Sequence, residues 1–199
     1  MTADTILMQV RSRLRDTNYE NLTFSDEELL DIIHIVQTRL VAEFDANIKT
    51  IAANLTTQTP TLELETPVLK LIAAKFNHRQ ISLATHAQTL REPPTHTTLI
   101  ALSPTTYTIE PFMQGELHLS ANLAPEPPEL TEPMLLNPLY HRAIVLGAME
   151  RLCEIETNAH NLERVRVYQA LFKAECDHLR ALTNAAREKQ TFSTRYIKV

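Results

Sequence analysis

Glycine is nearly absent from this chain of 199 residues: only Gly115 and Gly147 are present. Phosphate-binding loops of the Walker or dinucleotide type need several glycines within a short span, so neither can occur, and most ordinary nucleotide-dependent enzymes are excluded with them. Cysteine is scarce too. Cys153 and Cys176 make no disulfide framework and suit a reducing compartment. No run of about 18 apolar residues exists, so no membrane-spanning helix is expected. Met1 to Met8 holds an acidic residue and no basic run, unlike a signal peptide. The net charge of −5 argues against a general nucleic-acid coat. That charge is uneven. Residues 1–137 carry 9 basic and 17 acidic side chains, a balance of −8, whereas residues 138–199 carry 10 and 7, a balance of +3. The basic end is the place to look for a partner.

The strongest local pattern is Ser25 to Asn54. Ser25 stands at an N-cap position with Glu28 three residues on, a capping box, and Phe24 with Leu29 forms a hydrophobic staple. Asp26, Glu27 and Glu28 fill the first turn, where the helix dipole favours them. Leu29, Ile33, Val36, Leu40, Phe44, Ile48 and Ile51 then recur at spacings of three and four, which predicts one helix of about seven turns. Ahead of it, Thr2 to Arg15 reads as a first helix with Ile6, Val10 and Leu14 on one face.

After Leu55 the helical periodicity fails and prolines recur. Short β-type runs take over at 61–65, 68–75, 79–85, 97–103, 105–110 and 116–123, with hairpin turns expected at Phe76–Arg79 and Phe112–Gly115. Ala124 to Glu132 is proline-rich and reads as an extended connector. Helix resumes at Pro138, with Asn137 as its cap. Gly147 inside that helix costs roughly 1 kcal/mol against Ala, which a closely packed neighbouring helix would explain. A last helix spans about Leu162 to Arg187. Gln190–Val199 then leaves the helix as a basic segment rich in strand formers.

The pattern therefore predicts an α+β, mainly α chain: an antiparallel helical bundle of two N-terminal and two C-terminal helices, an inserted small β-rich module and an extended C-terminal arm. Its parts are 1–55, N-terminal helices; 56–132, β-rich insertion and connector; 133–189, C-terminal helices; and 190–199, the arm.

Catalytic patterns are sparse. Asp31…His34 and Glu175…His178 are carboxylate-x-x-His steps of the kind that four-helix carboxylate bundles use to hold two metals. Asp31 and His34 fall off their helix's apolar stripe, however, and no further glutamates are placed to complete a set. Cys153, His160, Cys176 and His178 match no compact zinc spacing. The remaining histidines, 78, 86, 96, 118 and 141, are scattered without a nucleophile context. No catalytic, cofactor or metal site is expected. The terminal segment is more informative. Chain ends usually fray, but this one holds two aromatics, Ile and Val, and a sticky segment too short to bury itself can instead add to another protein.

The order of these elements is familiar. ILMQVRSRLRD…FSDEELLDIIHIVQTRLVAEF resembles the N-terminus of tailed-bacteriophage head-to-tail connector proteins, the adaptors that sit below the portal. The match rests on Arg13, Leu14, Arg15 and Asp16 at the end of the first helix and on Phe24 to Leu29 at the start of the second. It continues through GELHLSANLAPEPPEL…LLNPLYHRAIVLGAMERLCEIE, with Leu136 to Ala143 as a helix start, and the Tyr168…Phe172 step in the last helix. It is similar to the form of the family with a β-rich insertion. The resemblance implies a non-enzymatic virion protein that uses no cofactor. It would assemble into a homo-oligomeric ring, twelve-fold in the family, at the neck between capsid and tail. The partners implied are the portal protein, a tail or nozzle protein and other copies of the chain, with no membrane. DNA would pass through the channel without sequence-specific binding, and assembly would occur in the host cytoplasm. The arm implied to dock into the portal is Thr191–Val199, with Phe192, Tyr196, Ile197 and Val199 as apolar anchors and Arg195 facing carboxylates or carbonyls. The alternative is a di-metal carboxylate four-helix-bundle enzyme built on Asp31, His34, Glu175 and His178.

Overall fold

A computed structural model of the chain describes residues 1–15, 23–85, 96–155 and 161–192. Within these residues there are four α-helices and eight strands in two sheets: α1 (Ala3–Leu14), α2 (Asp26–Phe44), β1 (Ile48–Leu55), β2 (Leu62–Glu63), β3 (Val68–Phe76), β4 (Arg79–Gln80), β5 (Ser82–Thr85), β6 (Thr98–Ala101), β7 (Thr106–Glu110), β8 (Gly115–Leu123), α3 (His141–Ile155) and α4 (Asn161–Phe192). A single 3-10 turn, Pro138–Tyr140, leads into α3, and the Asn137 side chain accepts from the Leu139 N–H to cap it. Contacts divide the chain into two compact units, a sheet unit of Thr38–Glu126 and a helical unit formed by Met1–Gln37 with Pro127–Val199.

This corrects the expected fold class. The chain is not a helical bundle carrying a small β module, because its strands build two four-stranded sheets with a core of their own. The main misreading lies at the end of α2. Helix was expected to continue to Asn54, but Asp45 takes a left-handed φ of 51° and the Ala46 N–H donates back to the Val41 carbonyl at 3.2 Å. That six-to-one bond closes a helix C-terminus. Ile48 and Ile51, which extended the helical stripe, instead alternate along β1, Ile48 outward and Ile51 partly covered. The short strands expected from 61 to 123 are present except that the run 79–85 divides into β4 and β5, which lie in different sheets, and β8 starts one residue early. Phe76–Arg79 is a hairpin turn as expected. Phe112–Gly115 is not, since it joins strands of different sheets.

In the helical unit the apolar stripes converge. Ile6 and Val10 of α1, Leu29 and Ile33 of α2, Ile144, Leu146 and Leu152 of α3, and Phe172, Cys176 and Leu179 of α4 are all buried. Gly147 explains itself: a Cβ there would lie 2.6 Å from Val36 Cγ1 and 3.0 Å from the Phe172 ring. Helices α2 and α4 therefore approach α3 at a point where only hydrogen fits. The segment before α3 runs back beside the chain's beginning, with Asp4 N–H donating to Leu130 O at 3.1 Å and Met134 N–H to Met1 O at 2.9 Å.

In the sheet unit, strand order is β1-β8-β3-β4 in one sheet and β2-β7-β6-β5 in the other. Every pairing is antiparallel except β5 with β6. Leu117 and Leu119 of β8 and Phe76 of β3 meet Leu99, Tyr107 and Ile109 of the second sheet in one buried cluster, so the two sheets share a core as a sandwich does. Gly115 opens β8 under the β3–β4 turn, and a Cβ there would fall 2.6 Å from the Phe76 ring and onto the Asn77 amide. Both glycines are thus used for close approach. The left-handed backbone positions go to Arg15, Asp45, Asn77 and His78 instead.

Candidate functional site

The residues that carry the adaptor resemblance are where the helical unit is tied together. Ser25 and Glu28 form the reciprocal box: the Glu28 N–H donates to Ser25 Oγ at 3.2 Å, and the Ser25 N–H donates to Glu28 Oε2 at 2.8 Å. Hydrogen bonding to the carboxyl from the Ser25 backbone N–H, and secondarily from the Ser25 side chain, holds Glu28 below its ordinary value. Phe24 and Leu29 are buried as the staple requires. Beside them stands a clamp that sequence reasoning missed. Arg11 is 1% exposed, and its guanidinium donates to Asp26 Oδ1 and to the Phe24 carbonyl, the latter at 3.0 Å. A buried arginine survives only when its charge and donors are satisfied, and this one is. It joins α1 to the start of α2, with only α2's first-turn acids as a hint in the sequence.

Leu136, Tyr140 and Ala143, the residues matched at the start of α3, are buried, as is Phe172 of α4. His141 follows Tyr140. Burial, with help from the positive amino terminus and Arg13, holds its imidazole below the usual value, and its buried Nε2 has no hydrogen-bond partner. The neutral form is favoured in the fold, so protonation as pH falls below about 6.5 opposes folding.

The expected portal arm was placed at Phe192, Arg195, Tyr196, Ile197 and Val199. Phe192 is the last residue of α4, so helix runs past the expected exit at Gln190. Arg195, Tyr196, Ile197 and Val199 lie outside the described residues.

The carboxylate-histidine alternative finds no geometric support. Asp31 and His178 are exposed, and Glu175 faces Arg142 at 3.3 Å, a structural ion pair between α4 and α3. Among the described residues no three His, Cys, Asp or Glu side chains are grouped so as to hold a metal. Cys153 and Cys176 are buried thiols, and His160 and His86 lie outside the described residues.

α4 shows one more feature of its surface. Phe172, Cys176 and Leu179 are buried on one side, yet Val167, Leu171 and Leu182 are 56%, 41% and 40% exposed on another. At helical spacing these three fall in one row with Ala174, His178 and Ala185, so the helix carries a second, mostly apolar face that no other described residue covers. In the sheet unit, strand register gathers Lys75, His78 and His118, which are scattered in sequence, at one shallow pocket. No protein-family model matches the sequence, and no curated protein matches it.

Proposed function

We propose that this chain is the subunit of a head-to-tail adaptor ring in a tailed bacteriophage, a structural virion protein without catalytic activity. The observation that carries the reading is the coincidence of motif and architecture. Part of the set by which the sequence resembles the adaptors caps and packs the helical unit: Ser25 and Glu28, Phe24 and Leu29, Asn137 as a cap, Leu136, Tyr140 and Ala143, and Phe172. Arg13, Arg15, Leu139 and Arg142 of the same set are exposed. The open row of Val167, Leu171 and Leu182 supports assembly, because uncovered apolar rows of this kind mark protein–protein contacts. Copies related by rotation would bury that row against a different patch of the next subunit, closing a ring through heterologous interfaces. The C-terminal arm, Thr191–Val199, would dock into the portal through Phe192, Tyr196, Ile197 and Val199, with Arg195 meeting carboxylates or carbonyls.

Native mass spectrometry of the protein alone and mixed with the portal ring of the same phage tests this. A complex carrying many copies, lost on deleting 191–199 while the circular dichroism spectrum is kept, is the expected result. Leu171→Glu with Leu182→Glu is expected to prevent self-assembly without unfolding the monomer. A chain that stays monomeric beside an intact portal ring overturns the reading.

A further inference from the structure

The outward face of the first sheet carries a cluster that the adaptor reading does not use. In β8, Leu117 and Leu119 point into the core, so Glu116, His118 and Ser120 occupy the opposite face. Register then fixes their neighbours. Lys75 of β3 and Ala52 of β1 flank His118, while Ala73 and Thr50 flank Ser120. The two-residue turn between β3 and β4 has positive φ at both central residues, 46° at Asn77 and 66° at His78, the geometry that matches the twist of tight hairpins. It carries the His78 ring back over the sheet, 6.3 Å from the His118 ring and tilted by 33°. Between them lies an open pocket of about 360 Å³ lined by Lys75, His78, His118, Thr50 and Ser120, with Ala73 at its floor.

We propose that this pocket binds a tetrahedral oxyanion, sulfate or phosphate, either free or as a monoester. Lys75 supplies a full positive charge. Thr50 and Ser120 supply hydroxyl donors, and each imidazole supplies an N–H. The small side chain of Ala73 leaves room beside Lys75, so an anion can approach the hydroxyls and the lysine together. Glu116 is the opposing charge. Its Oε1 stands 3.0 Å from His118 Nε2, and it competes with an incoming anion for that imidazole. Groups on the neighbouring strands do not change the balance. β1 presents Thr50, Ala52 and Asn54 on this face, Gln80 of β4 is paired with Lys75, Arg79 is paired with Phe76 of the inward face, and Lys70 is engaged by Asp45 at 2.8 Å. The inference is independent of the ring role.

Histidine ring NMR of the full chain, titrated with sodium sulfate against sodium chloride at matched ionic strength, tests it. Saturable shifts confined to His78 and His118 are expected. Lys75→Ala should weaken binding at least about tenfold, the consequence of losing one charge-assisted contact. Glu116→Gln should strengthen it by removing the competing charge beside His118, a result that a merely damaged sheet would not give. Inorganic phosphate and glycerol phosphate separate the two sources, since tighter binding of the ester assigns an esterified group and equal or weaker binding assigns the free ion. Shifts that chloride reproduces, or that Lys75→Ala leaves unchanged, overturn the proposal.

Discussion

The two units solve the same burial problem in different ways. In the sheet unit a closed apolar cluster does the work, and its buried polar groups are paired within it. Asn122 accepts from the Asn47 N–H at 3.0 Å and donates to the Val41 carbonyl at 2.8 Å, while the Asn47 amide donates to the Leu123 carbonyl at 3.1 Å. The helical unit buries a whole guanidinium, fits α2 and α4 around a bare glycine, and leaves an apolar row of α4 open. One unit is built from alternation along neighbouring strands. The other depends on single side chains placed by distant parts of the chain. The difference teaches that the helical unit joins elements far apart in sequence through a buried charge, whereas the sheet unit joins neighbouring strands through register. Both leave apolar side chains exposed, scattered over strands and loops in the sheet unit and in a row along α4 in the helical unit.

The sharpest way to break that comparison is to cut each core. Leu117→Ala in the sheet unit and Ile144→Ala in the helical unit are each expected to cost about 2–5 kcal/mol, the range for emptying a fully buried aliphatic site. Calorimetry reads the outcome. Two transitions, each moved by one variant alone, mean that the units melt separately; a single transition moved by both means that they melt together. Next in size is Arg11→Met, expected to cost about 3 kcal/mol because it strands the Phe24 carbonyl and the partner carboxylate. Half of the Asp26 side chain is exposed, so the loss belongs at the lower end of the range for buried pairs. Urea titration measures it, and a loss no larger than that of a surface substitution would show that the clamp is ornamental.

Gly147→Ala comes third, at about 1–3 kcal/mol for overpacking. Its specificity lies in the rescue: Val36→Ala, which removes the nearest clashing methyl, should recover part of the loss in the double variant. Additive losses would place the strain elsewhere. The smallest effect is Ser25→Ala, about 1 kcal/mol for a lost N-cap. Acid does part of the same thing. The Glu28 carboxyl is held below its ordinary value, so its contribution is present above about pH 4.5 and fades as pH falls through the lowered folded-state value. Glu28→Gln, which removes the titrating carboxyl, should therefore show a weaker acid sensitivity than the parent chain, read as the slope of melting temperature between pH 5 and pH 3.

The sequence announced local features well and distant ones poorly. The capping box of α2 was legible because all of its atoms lie within four residues. The strands between 61 and 123 were legible because alternation and proline mark them. β1 was not. Ile48 and Ile51 are three apart, a spacing that serves a helix as readily as a strand, and the stop signal was an Asp rather than a Gly in the left-handed position. With only two glycines in the chain, that marker was missing at all four positive-φ positions among the described residues. The Arg11 clamp spans 15 residues and the Lys75–His118 pairing spans 43, so neither follows from periodicity. For the same reason the second apolar face of α4 became visible only once the first was seen to be filled.

The helical unit is assembled from both sides of the sheet unit in sequence, and that order has a consequence in time. On a ribosome, α1 and α2 are made first, and the partners of their apolar faces, α3 and α4, come only after Thr38–Glu126 has been added. At translation rates of about 5–20 residues per second, that interval is on the order of 5–20 s. During it the sheet unit has its complete sequence and can fold, while Ile6, Val10, Leu29 and Ile33 wait uncovered. Throughout that interval the apolar faces of α1 and α2 are open to stray association, and the faster the sheet unit folds the less unfolded chain stands beside them.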